Sequence, residues 1–270
     1  MSLALIDYGC HSFSYRLSAY LFGCGYPIRY VANGSLESPN VDSLEAWTAQ
    51  TPELVKIVSC KRPYGKMSLK SRIQGEIEWT TRCIHDLKIL QPSAILTSCA
   101  PLSVVPRLQR FAASRGIPFV YWLQDLQGRA IGEVFKGKIP LFGRSLGRLA
   151  EQYELQLLER SQFVITIAAD HASSLPESVR ADRKYELLEN WANIEDVPLE
   201  SFSNEWAEQH GLSRTRNVIY SGTLGFKHDW TAFLHLARAV RSQSDVRVVL
   251  VSSGGTADRI KAEAAAQKTL

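Results

Sequence analysis

The chain has 270 residues, a formal net charge of +4, 45% hydrophobic residues and 21% charged ones. That composition excludes a disordered chain and leaves room for one large domain or two small ones. The weak positive charge is no argument for a nucleic-acid partner, and without a run of about 18 apolar residues no membrane-spanning helix is expected.

Taken in order, Leu3–Ile6 reads as a short strand. Phe13–Phe22 follows, with Phe13, Leu17, Tyr20 and Leu21 at helical spacing. Gly23-Cys24-Gly25-Tyr26-Pro27 ends that helix, because glycine takes the left-handed cap and proline blocks continuation. Ile28–Val31 and Val55–Val58 are strands. Lys61–Lys70 is a basic loop, Arg72–Leu90 the longest helix, and Ala94–Thr97 a further strand. Leu102–Ser114 is a helix and Phe119–Leu123 a strand. Gly128–Gly143 reads as a Gly- and Lys-rich loop, Leu146–Arg160 as a helix, and Phe163–Ile167 and Tyr185–Leu188 as strands.

Short apolar strands alternating with long amphipathic helices predict βαβ units and a parallel sheet covered on both faces. The rhythm fades over Asn193–Arg216 and resumes with strand Asn217–Tyr220, helix Trp230–Val240 and strand Val246–Val251. The predicted organisation is a complete Rossmann-like α/β domain over 1–196, a linker over 197–216 and an incomplete second domain over 217–270. A unit that small cannot cover both faces of a sheet. Cys10, Cys24, Cys60, Cys83 and Cys99 are odd in number and lack a C-x-x-C pair, so no zinc site or disulfide framework is expected. The N-terminus has no basic leader. The expected compartment is the reducing cytoplasm.

Four segments have the chemistry of a site. Asp7-Tyr8-Gly9-Cys10-His11-Ser12 joins a strand to a helix start, where backbone N–H groups gather, although the G-x-G-x-x-G dinucleotide fingerprint is absent. Tyr121–Gly128 places Gln124 and Asp125 at the carboxyl end of a strand, where open α/β sheets hold ligands. Asp125 there can accept a proton or hold a hydroxyl. Tyr220-Ser221-Gly222-Thr223-Leu224-Gly225-Phe226-Lys227 pairs close-approach glycines with a cation, which suits a diphosphate, and Ser252–Thr256 repeats the theme. Phe135–Arg148 interleaves cations with large apolar residues, as does a surface that meets anionic lipid. No histidine spacing marks a metal site, and there is no G-x-S-x-G elbow.

These loops together resemble the GT-B retaining glycosyltransferases of family four, in the branch that makes bacterial surface polysaccharide of the colanic acid and O-antigen kind. Asp7–Gly9, Gly25–Ile28, Leu96–Leu102, Tyr121–Leu126, Asn190–Asn193 and Tyr220–Gly225 carry the resemblance. It implies transfer from a nucleoside-diphosphate sugar to a lipid-linked or saccharide acceptor, with no metal and no other cofactor. Asp125 becomes the catalytic candidate. Gly222, Lys227 and Gly9 fall on the donor side, and His11, Ser12 and Gln124 on the acceptor side. The implied setting is the cytoplasmic face of an anionic membrane.

Thr223 stands where many relatives carry arginine, Gln124 where many carry histidine, and the family's two-glutamate motif does not occur before Leu270. The chain is therefore expected to be shortened at its C-terminus. The alternatives are a noncatalytic acceptor- or partner-binding module and a Rossmann enzyme of another chemistry, such as a dehydrogenase. The missing fingerprint counts against the last.

Overall fold

A computed structural model describes residues 2–36, 43–64, 69–138, 143–191, 194, 198–222, 224, 229–252 and 255–266. Its contacts divide the chain into two units, Met1–Asn193 and Ile194–Leu270.

The described residues of the first unit form seven strands: β1 (Leu3–Asp7), β2 (Ile28–Asn33), β3 (Val55–Val58), β4 (Ala94–Ser98), β5 (Phe119–Leu123), β6 (Phe163–Thr166) and β7 (Tyr185–Leu187). They form one sheet, every pair parallel, in the order β3-β2-β1-β4-β5-β6-β7. The apolar runs lie where the sequence places them. Alternation along each strand divides the interior in two: on β5, Phe119, Tyr121 and Leu123 enter one core with Trp79 and Leu108, while Trp122 enters the other with Tyr15 and Tyr30. Helices on both faces explain why the strands are nearly all apolar.

Among the described residues, eight helices accompany the sheet: α1 (Ser12–Gly23), α2 (Leu44–Gln50), α3 (Leu69–Leu90), α4 (Val105–Ser114), α5 (Gln127–Lys138), α6 (Gly143–Glu159), α7 (Ala169–Ser173) and α8 (Glu177–Ala181). α2, α7 and α8 are absent from the sequence reading, and three others differ from it in ways that bear on packing. On α1 the buried residues are Ser14, Tyr15 and Ser18, while Tyr20, assigned to the apolar stripe, is 70% exposed. The helix lies close to the sheet on hydroxyls: Ser18 Oγ donates to the Ser14 carbonyl at 3.0 Å, and Ser14 Oγ to Ser98 Oγ at 3.3 Å. The helix expected from Leu102 starts at Val105, after a turn closed by Val104 N–H donating to the Pro101 carbonyl at 2.9 Å.

The Gly- and Lys-rich stretch expected as a loop is largely helix α5, and its glycines are the reason it packs. A Cβ on Gly128 would come within 2.7 Å of the Glu151 Cα, one on Gly132 within 3.2 Å of the Gly147 Cα, and one on Gly147 within 2.6 Å of the Gly132 Cα. The α5 and α6 backbones therefore touch. From α6, buried Glu154 accepts the first two N–H groups of α5, from Gln127 at 2.9 Å and Gly128 at 3.0 Å. Burial raises the Glu154 carboxyl pKa, and the two N–H groups pull it back. Glu154→Ala leaves both donors buried without an acceptor. The expected loss is about 1–3 kcal/mol of stability, read by chemical denaturation.

The second unit has helix α9 (Glu205–Gln209), strand β8 (Arg216–Ser221), helix α10 (Thr231–Ala239), strand β9 (Val246–Val251) and helix α11 (Gly255–Ala266). The stretch read as a linker groups with this unit. It carries α9, capped by Asn204, whose side-chain oxygen accepts from Ala207 N–H at 2.9 Å. Strands β8 and β9 pair in parallel, and Leu224, Leu234, Ile260 and Ala264 pack into a small core. Val218 and Ile219 on β8 remain about half exposed. No described helix of either unit is long and apolar enough to cross a membrane.

Candidate functional site

Strand order reverses at the middle of the large sheet. The chain runs outward from β1 through β2 to β3, then returns to lay β4 against the other side of β1. Loops leaving the carboxyl ends of β1 and β4 diverge to opposite faces of the sheet, and the crevice between them is where such sheets bind ligands. Asp7 ends β1 opposite Ser98, the last residue of β4.

Asp7 is wholly buried. Its Oδ1 accepts the Gly9 N–H at 3.0 Å, and its Oδ2 accepts the His11 N–H at 2.7 Å and the Tyr30 hydroxyl at 3.1 Å. The His11 imidazole swings back so that Nδ1 lies 3.3 Å from Oδ1. The carboxylate thus occupies the anion seat that the loop's N–H groups form, and Gly9 contributes room more than a donor. A Cβ there would stand 1.9 Å from His11 Cε1 and 2.5 Å from Nδ1. Only glycine lets the imidazole lie on the loop. Ser12 is the first residue of α1 and exposed, with His11 in the N-cap position.

Across the crevice stands Cys99, which like Cys10 holds a left-handed backbone, at φ 55° and 56° respectively. Such a conformation is uncommon outside glycine and turns each chain sharply off its strand. Burial, with Asp7 close by, pushes the Cys10 thiol up to about 12. Burial and the nearby Asp7 and Asp125 carboxylates raise the Cys99 thiol well above its usual range. Burial, then Asp7, does the same for the Tyr30 phenol. Asp125 itself is exposed just past β5.

An aromatic bank flanks this cluster. The His11 ring lies 5.4 Å from Phe13, Phe13 lies 5.3 Å from Trp122, and Trp122 stacks on Trp191 at 6.1 Å. Gln124 Oε1 accepts from Asn190 Nδ2 at 2.7 Å, while the Gln124 Nε2 is buried without a partner among the described residues.

Of the residues chosen from sequence, Gly9 and His11 meet at Asp7, while Asp125 is exposed past β5 and bears on the cluster only by helping to raise the Cys99 thiol. Gln124 belongs to the aromatic bank. Gly222 lies in the second unit, where its N–H donates to the Val251 carbonyl at 3.1 Å and its φ of 149° strains any other residue. Lys227 lies outside the described residues. The sequence reading placed Asp7, Cys99, Asn190 and Trp191 in segments that carry the resemblance without giving any of them an individual role, and it passed over Tyr30. The Asp7-x-Gly9 spacing was a readable signal, because aspartate accepts the N–H two residues on. Tyr30 and Cys99 carried none, since their nearness to Asp7 depends on strand order.

No family model and no curated protein matches the chain. Solved structures do. Anabaena HepE, in complex with UDP and glucose, aligns with 100% of this chain and 67% of its own at 13% identity and a TM-score of 0.65. The fold is of the GT-B type. UDP-N-acetylglucosamine 2-epimerase of Rickettsia bellii aligns at 13% identity and a TM-score of 0.56, over 97% of this chain and 64% of its own. LpCGTa, in complex with UDP, aligns at 13% identity and a TM-score of 0.53, over 94% and 70%. This chain spans about two thirds of the length of those proteins. At such identities the likeness gives the fold alone. It is shared by proteins named for glycosyl transfer and for epimerisation, so activity has to be argued from the site.

Proposed function

We propose that the chain carries the acceptor half and part of the donor half of a nucleoside-diphosphate-sugar glycosyltransferase. Its acceptor is a lipid-linked or saccharide hydroxyl in surface-polysaccharide synthesis. The observation that carries this reading is the buried Asp7 carboxylate holding the His11 imidazole at the switch point. A hydroxyl-bearing acceptor fits beside it: Trp191 offers a partly exposed ring for a sugar face, and Gln124 Nε2 a donor in need of an acceptor. Gly222 and Lys227 are assigned to the donor diphosphate, with a helix dipole and cations in place of a metal. On α6, Leu146, Leu149 and Tyr153 are exposed at helical spacing beside Arg144 and Arg148. We assign that face to an anionic membrane at the cytoplasmic side.

The resemblance to family four favours retention of anomeric configuration, with Asp125 holding the acceptor hydroxyl. One observation favours inversion instead: an imidazole oriented by a buried carboxylate is the arrangement of a general base, and a base that activates the acceptor supports a single displacement. One experiment tests both. Protein expressed from the complete reading frame is incubated with radiolabelled uridine-diphosphate sugars and bacterial lipid acceptor, and the product anomer is assigned by NMR. Retention is expected with Asp125→Asn as the more damaging variant. Inversion is expected with His11→Gln as the more damaging, by about 10²–10⁴-fold in rate. Absence of transfer with every donor overturns the assignment.

A further inference from the structure

The Cys99 thiol has no part in sugar transfer, yet it stands beside the two groups argued to matter most. Asp7, His11 and Cys99 each offer one ligand atom, and the three atoms lie within 4.8 Å of one another. We infer that these residues form a three-ligand site for a borderline-soft divalent transition ion of the zinc class. A tetrahedral zinc with bonds of about 2.0–2.1 Å to nitrogen and oxygen and about 2.3 Å to sulfur keeps its ligand atoms about 3.3–3.6 Å apart. Asp7 Oδ1 and His11 Nδ1 are already 3.3 Å apart, so the site closes by a small movement of the cysteine.

The donor set is one carboxylate, one imidazole and one thiol, a mixture that selects zinc, cobalt or copper over magnesium and calcium. The second layer of contacts is present. The Gly9 and His11 N–H groups and the Tyr30 hydroxyl fix the Asp7 carboxylate, and Ser98 Oγ lies 3.4 Å from the Cys99 sulfur. Such outer contacts orient ligands and support affinity. Three protein ligands leave one position open to water or solute. Binding exchanges the thiol proton for the ion, so one proton is released when Cys99 coordinates.

An ion on Nδ1 leaves the imidazole proton on Nε2, which removes the lone pair His11 needs as a base. Metal binding and acceptor activation then exclude each other, and the ion acts as a brake. That exclusion rests on the proposed function, whereas the site itself does not.

Cobalt(II) is the probe, because it reports its ligands by colour. One equivalent added to the intact, reduced protein is expected to give the intense near-ultraviolet band of thiolate-to-cobalt charge transfer. The band is expected to vanish in Cys99→Ser, to weaken at least tenfold in apparent affinity in His11→Gln, and to persist in Cys24→Ser, whose cysteine is exposed. Asp7 is left intact, since its loss would release the loop. Absence of the band at stoichiometric cobalt, or a band indifferent to Cys99→Ser, overturns the site. In a transfer assay, zinc is expected to inhibit in proportion to occupancy and a chelator to restore the rate. Undiminished transfer at full occupancy overturns the brake. A cobalt band in a protein that never transfers sugar leaves the site standing and removes the functional reading.

Discussion

Gly9→Ala is expected to abolish most sugar transfer while leaving the fold almost unchanged. The new methyl would sit 1.9 Å from His11 Cε1 and 3.0 Å from Nε2. Backbone and imidazole cannot share that space. The loop is pinned by the two N–H bonds to buried Asp7, and the ring hangs on a single residue at the half-exposed edge. The ring therefore moves, leaving the 3.3 Å approach to Asp7. A misplaced general base forfeits about 10²–10⁴-fold in rate. Steady-state kcat/KM should fall by that factor, with the melting temperature nearly constant. The His11 imidazole proton and carbon resonances should shift as the carboxylate is lost as a neighbour. A variant that retains transfer would show that His11 is a bystander at the crevice.

Gly147→Ala has its effect on stability. Its Cβ would lie 2.6 Å from the Gly132 Cα, which is backbone and cannot rotate away. The two helices must separate along their whole crossing, which also pulls Glu154 from the start of α5. Overpacking of this kind costs about 1–3 kcal/mol, and at this size each kcal/mol lowers the melting temperature by about 2–4 °C. Gly23→Ala is the matched control. It lies in α1 with nothing within 4 Å of the added carbon, so it should be neutral or gain about 0.5–1 kcal/mol. Calorimetry of the pair separates a steric effect from the general preference of helices for alanine.

These two glycines also show what was legible in the sequence. The strands were, because a strand covered on both faces must be a short apolar run, as in Leu3–Asp7 and Phe119–Leu123. Helix α5 was not. Gly128 and Gly132 look like loop residues until α6 comes close enough to need their missing side chains. α1 was placed correctly, but its buried face was misread, because Ser14 and Ser18 bury hydroxyls that bond locally and to Ser98.

The site divides the same way. The loop after β1 was recognisable as a strand-to-helix turn and the segment after β5 as the carboxyl end of a strand, so Gly9, His11, Gln124 and Asp125 were in view. What joins them was hidden. Asp7 draws its partners from β2 through Tyr30 and from its own loop, and Cys99 arrives only because β4 pairs with β1.

That same pairing has a consequence during synthesis. Strand β1 leaves the ribosome ahead of its neighbour on one side, β4, which is made about ninety residues later. At translation speeds of about 5–20 residues per second, its apolar edge waits several seconds without that cover. Long-range pairing of this kind also slows folding in general. The nascent protein should accordingly depend on holdase chaperones in the interval before Ser98 emerges, and slowing translation between α1 and β4 should lower the soluble yield.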